Sequence, residues 1–310
     1  MKYTANAFSL PSSDGIHTLA AFCWTPENPV GVIQLSHGMC EYILRYTDFV
    51  ERMCDAGFAV VGHDHLGHGY TARNADELGY MTDAKDPALC LVKDVYAVNS
   101  WIKSTFPSLP VILYGHSMGS FIARWALTEY KDAWNAAVIS GTAGPEAPTG
   151  AGLLLCRVLG IFGKHNRSAL LYNIAFGSYD KPFKADGIKN AWLTRDHAVI
   201  EKYNADPFCS YRFTINGYLT LFTLLGKVSA KDWASKMPLD LPMLLVSGED
   251  DPVGNFGKGV REVEARLRAA GATKLSSMYF EGMRHEPHNE TDNDKFFEGV
   301  SNLMHLMIER

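Results

Sequence analysis

A side chain that attacks a carbonyl carbon needs an exposed hydroxyl, a base to take its proton, and an acid to aim that base. Residues 115–119 read Gly-His-Ser-Met-Gly, between the apolar run Val111–Tyr114 and the helix-forming stretch Phe121–Tyr130. This order predicts a sharp turn from strand to helix that strains the backbone at Ser117 and pushes its Oγ into the open. Any Cβ at the flanking glycines would meet neighbouring chain. The same turn sets Ser117 at a helix N-terminus, where free N–H groups and the helix dipole favour developing negative charge.

The partners are sought further along the chain, in the order serine, acid, histidine. The apolar run 242–248 ends in Glu249, Asp250, Asp251, Pro252 and Val253, which places acids at the carboxyl edge of a sheet, where sites of open α/β folds cluster. Asp251 is preferred to Asp250, because the Pro-Val after it restrains the turn that would aim it. The next strand-like run, 274–282, leads to Met283, Arg284, His285, Glu286, Pro287 and His288. His285 is the expected base and later acid, whereas His288 reads as an exposed loop histidine. For the oxyanion, two backbone N–H groups must converge on the carbonyl oxygen. Met118 follows the nucleophile, and Met39 follows the run Gly31–Ser36 through His37 and Gly38, so these two amides are the expected donors.

Two other chemistries compete. His63, His65 and His68 have a spacing found among metal ligands, and resemble the H-x-H-x-x-H run of the metallo-β-lactamase fold. However, Gly67 stands where that family carries an Asp, and a metal site would leave Ser117 and His285 unexplained. The preferred reading of 64–69 is a glycine-rich loop that buttresses the site with side-chain hydrogen bonds, with no metal. Cys40 has no evident activating base near it in the sequence, so a thiol nucleophile is disfavoured.

The elements that must position these residues alternate. Buried strands are predicted at 31–36, 58–62, 111–114, 136–140, 243–247 and 275–280, and helices at 47–56, 89–106, 118–130, 260–270 and 296–308. Such alternation implies a mostly parallel sheet covered on both faces. Residues 4–10 and 17–24 flank a Pro-Ser-Ser-Asp-Gly turn, which predicts an antiparallel hairpin at one edge. The rhythm breaks at about 144–236, where Gly, Pro and Thr at 144–150 lead into helical segments rich in Leu, Phe and Tyr. The expected organisation is a core at 1–143 and 237–310, interrupted by a helical cap at 144–236. Within the cap, Leu154, Val158, Phe162, Tyr218 and Phe222 are the expected substrate contacts.

The chain has 310 residues, 47% of them hydrophobic and 20% charged, which suits a globular protein able to bury a core. Its formal charge of -5 argues against nucleic acid as a partner, since that would call for a basic face. The N-terminal stretch 1–15 carries Asn, Ser, Pro and Asp where a secretory signal needs an apolar run, so a cytoplasmic location is expected. Six cysteines without a C-x-x-C pair read as free thiols.

Taken together, H-G-M-C-E at 37–41 with Arg45-Tyr46, D-H-L-G-H-G at 64–69, G-H-S-M-G, G-E-D-D-P-V at 248–253 and R-H-E at 284–286 resemble the monoacylglycerol lipase and lysophospholipase branch of the α/β-hydrolases. The match spans nearly the whole chain. It implies an α/β-hydrolase fold with about eight strands, a helical cap over the site, and hydrolysis of an acyl ester without a cofactor. The implied substrate is a monoacylglycerol or a lysophospholipid, with short-chain carboxylic esters as the alternative. Apolar residues of the cap would allow transient contact with a membrane surface. One departure is Tyr70-Thr71, where the family often has Ser after the second glycine motif. A hydrolase fold kept only for binding would tolerate loss of a triad member, but all three roles have occupants here.

Overall fold

The computed structural model describes residues 3–145 and 149–309. Residues 1–2, at the start of the N-terminal stretch, and 146–148, inside the Gly, Pro and Thr run, lie outside the described residues.

Eight strands form one sheet. β1 (Tyr3–Pro11) and β2 (Thr18–Pro26) make the expected antiparallel hairpin. β2 also pairs antiparallel with β4 (Phe58–His63), and from there the sheet is parallel, through β3 (Gly31–Ser36), β5 (Val111–His116), β6 (Ala136–Ser140), β7 (Met243–Gly248) and β8 (Leu275–Phe280). The strand order is β1-β2-β4-β3-β5-β6-β7-β8. Strands β3 to β7 are buried along their whole length, as parallel strands covered on both faces must be.

The period of two along these strands divides the core into two layers. Ile33, Val60, Ile112, Tyr114, Val138 and Leu244 face α1 (Thr47–Asp55) and α10 (Asp294–Ile308), which supply Phe49, Met53, Phe296 and Val300. Val32, Val61, Leu113, Ile139 and Leu245 face the other layer, built from α2 (Pro87–Thr105), α3 (Met118–Glu129) and α9 (Lys258–Ala270). α2 begins where Asp86 accepts the Leu89 N–H and Pro87 needs no donor of its own.

Between β6 and β7 the chain is helical: α4 (Thr149–Gly160), α5 (Ala169–Phe176), α6 (His197–Ala205), α7 (Ile215–Ser229) and α8 (Trp233–Lys236). α7 is the most deeply set of these, and its Leu221, Phe222, Leu224 and Val228 join the same buried cluster as α2 and α3. The buried Arg124 of α3 holds both roots of this insertion. Its Nη1 donates to Thr142 Oγ1 (3.1 Å) and Ala143 O (3.0 Å), and its Nη2 donates to Val228 O (2.7 Å). The guanidinium lies 4.0 Å from the Trp233 ring centre. Burial, with Arg266 as a second cation nearby, lowers its pKa to about 9.

Candidate active site

Ser117 lies between β5 and α3 with φ 53° and ψ -121°, a region that non-glycine residues avoid. Three hydrogen bonds hold it there: its N–H donates to Ser140 O (3.0 Å), and its carbonyl accepts from Ser120 N–H (2.9 Å) and Ser120 Oγ (2.5 Å). The flanking glycines permit close approach of backbone to backbone. A Cβ at Gly119 would collide with the carbonyl of Ser36, and one at Gly115 with the carbonyl of Gly119.

The acid and the histidine come from the loops after β7 and β8. A side chain at Gly248 would strike the carbonyls of Met283 and Arg284, so these loops meet only because position 248 is glycine. Asp251 is fully buried, while Asp250 next to it is exposed. His285 Nδ1 lies 3.0 Å from Asp251 Oδ1, which also accepts the Val253 N–H at 2.8 Å. Burial opposes a charge on His285, yet Asp251, through its charge and its hydrogen bond, together with Glu286 and Glu41, raises the imidazole pKa above its usual value. The His285 ring packs 4.9 Å from Trp192, whose carbonyl accepts the His285 N–H at 3.3 Å. His288, expected to be exposed, is instead buried, stacked on Tyr46 at 5.1 Å and edge-on to His116 at 5.0 Å. Pro287 and the short turn Pro287–Asn289 fold it inward.

The loop 37–39 stands against Ser117: a Cβ at Gly38 would lie 3.0 Å from the Ser117 Cβ. His37 Nδ1 donates to Gly38 O (2.8 Å), and its Nε2 accepts the His65 N–H (3.0 Å), which fixes the neutral tautomer. Two of the histidines read as possible metal ligands, His65 and His68, belong to this scaffold. His65 Nε2 lies 3.0 Å from Ser36 Oγ, and His68 Nδ1 donates to Leu66 O (2.9 Å). Burial lowers His63 and His68 to about 4. His37 and His65 are pushed well below the usual value by burial and by one another's neighbours. Among the described residues no group of three or more His, Cys, Asp or Glu is arranged to hold a metal ion. Cys40 donates to Tyr211 O (3.1 Å), and burial drives its thiol pKa well up, away from the reactive thiolate.

Beneath the loop lies a buried ionic group. Glu41 Oε1 accepts from Gly38 N–H and from Tyr46 OH (2.7 Å), and its Oε2 accepts from Arg45 Nη1 (2.7 Å). Arg45 forks onto Glu286 with contacts of 2.8 and 2.6 Å. Burial works against ionisation of Glu286, but Arg45 outweighs it and holds the carboxyl well below its usual range.

Two cavities open on Ser117. The larger, about 310 Å³, is mostly apolar, with Met39, Met118, Phe121, Phe176, Phe222 and Leu225 among its walls. The smaller, about 60 Å³, holds Ser117, His285, Glu41, Lys189, Trp192 and Tyr203. Ser117, Met39 and Met118 share the larger cavity, and Ser117 shares the smaller one with His285. Of the five residues expected to touch substrate, Phe222 alone lines a cavity beside Ser117. Leu154, Val158 and Phe162 are 63%, 47% and 78% exposed, and Tyr218 is buried away from both cavities. The reason is the seating of α4: Gly152 and Cys156 face α7, and a Cβ at Gly152 would lie 2.9 Å from the Phe222 ring, so the stripe through 154 and 158 turns outward. Phe176, Tyr179 and Trp192 escaped the sequence reading, because single aromatics in an irregular helical stretch carry no period that separates a cavity wall from packing.

Residues 27–292 match the family described as Serine aminopeptidase, S33. The chain belongs to this family. The hydrolase is 28% identical over 282 residues to the monoacylglycerol lipase of Mycolicibacterium smegmatis, covering 90% of this chain and 89% of that one. It is 26% identical over 294 residues to the human monoglyceride lipase, covering 91% and 86%. Among solved structures, a thermostable carboxyl esterase from Bacillus coagulans in complex with glycerol superposes with a TM-score of 0.91 at 27% identity, covering 99% of each chain.

Proposed function

We propose that this serine hydrolase cleaves the ester bond of a monoacylglycerol or a lysophospholipid, with Ser117, His285 and Asp251 as its catalytic triad. The observation that carries the reading is His285, paired with the buried Asp251, opening on the same cavity as the strained Ser117. In this reading Ser117 Oγ attacks the ester carbonyl as His285 takes its proton, and Asp251 stabilises the imidazolium. The N–H groups of Met39 and Met118 bind the oxyanion. His285 then gives its proton to the departing alcohol, and water, activated by the same ring, releases the acyl group from Ser117. These steps use no metal or organic cofactor.

The larger cavity suits an acyl chain, and the smaller one, with Glu41, Lys189 and His285 in its walls, suits the alcohol. The named activities of the mycobacterial and human relatives support a glycerol ester as substrate. In the same reading, residues 144–236 act as a cap over the site, and the exposed Leu154, Ile161 and Phe162 rest on lipid surfaces that hold such substrates. The family's description favours a second reading, cleavage of an N-terminal residue from a peptide. That reaction needs a free carboxylate near Ser117 to hold an amino group. Glu41 and Glu286, the carboxylates of the smaller cavity, are both taken by Arg45. A cytoplasmic location fits the six buried cysteines, all of which are free thiols.

Rates over glycerol and aryl esters of increasing acyl length, set beside aminoacyl anilides, test the assignment. Ester cleavage should dominate, a fluorophosphonate should label Ser117, and Ser117→Ala should lower kcat by about a millionfold with folding intact. Activity of Ser117→Ala within tenfold of the parent would remove Ser117 from the mechanism, and faster anilide cleavage would favour the peptidase.

A further inference from the structure

The mechanism above needs two loops held against one another, one offering the Met39 amide and the other offering His285. We propose that Glu41 is a positioning residue, which fixes the Met39 N–H as an oxyanion donor and, through Arg45 and Glu286, ties that donor to the loop of the base. The proposal rests on the Ser117 mechanism.

The need for such a device follows from Gly38. A Cβ there would lie 2.6 Å from Glu41 Oε1 and 3.0 Å from Ser117 Cβ, and the lack of a side chain that this closeness favours leaves its φ and ψ broadly free. A free peptide here is a hazard. Rotation of the Gly38–Met39 unit would swing a carbonyl oxygen to where an N–H must meet the oxyanion. The structure closes this freedom from both sides. His37 holds the Gly38 carbonyl, and because the peptide is planar and trans, the Met39 N–H must point the opposite way. Glu41 holds the Gly38 N–H, and so fixes the preceding peptide plane.

Glu41 is itself fixed by Tyr46 and Arg45, and Arg45 reaches Glu286 with both of its terminal nitrogens. Glu286 follows His285 directly, and its side chain also accepts from Asn289 Nδ2 at 2.8 Å. Two acids and one arginine are thus buried together, an arrangement that packed apolar residues often match or exceed in stability. What an apolar replacement would not supply is an acceptor aimed at the Gly38 N–H and a rigid link from the donor loop to the base loop.

The test measures kcat and KM on a soluble aryl ester, 4-nitrophenyl butyrate, and the rate of Ser117 labelling by a fluorophosphonate, for proteins whose fold is checked by circular dichroism. Glu41→Ala should lower kcat about 100-fold with KM within about threefold, since a displaced oxyanion donor acts on the transition state. Labelling should slow in parallel. Glu41→Gln, which keeps an oxygen for the Gly38 N–H, should recover at least about tenfold of that loss. Glu286→Gln should lower kcat alone, and should add little to Glu41→Ala, because both break one link. If Glu41→Ala does not fold, Glu41→Gln and Tyr46→Phe decide: a several-fold fall in kcat at constant KM supports the role, and parental kcat in both overturns it. A folded Glu41→Ala with parental kcat, or with a loss confined to KM, also overturns it. Activity surviving in Ser117→Ala would instead bring down the mechanism, which separates the two failures.

Discussion

At the scale of single residues, the site concentrates its strain and its unusual protonation at Ser117 and His285. Holding a serine at φ 53° costs about 1–3 kcal/mol, and the hydrogen bonds from Ser120 and to Ser140 offset part of it. In the proposed mechanism His285 must be neutral to accept the proton of Ser117, and its pKa lies above the usual histidine value because Asp251 outweighs burial. The acid limb of kcat/KM should therefore have its midpoint above pH 6.5, with activity lost as pH falls through it. Asp251→Asn should move that midpoint down and lower kcat by about 10⁴-fold. A pH and rate profile of both proteins on a soluble ester checks this, and a parental midpoint below pH 6 would contradict it.

At the scale of elements, the strands were legible, and the residues proposed as the triad could be picked out, because each follows a local rule. β3 to β7 are short apolar runs bounded by turn residues; Ser117 and Asp251 stand just past the ends of two of them, and His285 stands in the loop after the edge strand β8. The helical insertion obeys no such rule. α4 is apolar on nearly every side, so its pattern could not say whether the stripe through Leu154 and Val158 or the one through Gly152 and Cys156 faces inward; the fit of Gly152 beneath Phe222 decides it. The burial of His288 and the roles of Glu41 and Arg45 depend on contacts between distant loops, which spacing does not encode. The outward stripe leads to its own prediction. Leu154→Asp should reduce binding to phosphatidylcholine vesicles about tenfold, the worth of one buried leucine side chain, and leave cleavage of a soluble ester unchanged. Equal binding of both proteins in co-sedimentation would count against the lipid-facing role of α4.

At the scale of the whole molecule, one side of the sheet edge is crowded with neutral histidines. Burial is the first cause of the lowered values at His37, His63, His65, His68, His116 and His288. A histidine depressed in the folded state contributes stability that is present above its unfolded value near 6.5 and lost as pH falls toward its folded value. His285 and the buried carboxyls of Asp64, Asp94 and Glu41, with their raised values, act in the opposite sense, but the six histidines outnumber them. The urea midpoint should therefore fall steeply between pH 6.5 and 4, which denaturation at a series of pH values checks; a flat profile would refute it. Arg124 bears on the molecule's motion. It fastens Thr142 and Ala143, where the chain leaves β6 for the helical insertion, and Val228, in the last turn of α7, to α3. The entry to the insertion and the last turn of α7 are therefore tied to the same helix of the core. In the proposed function, opening for a long acyl chain would arise in α4 and α5, which lie between those two ties, so substrate entry would work like a flap cut in a fixed panel.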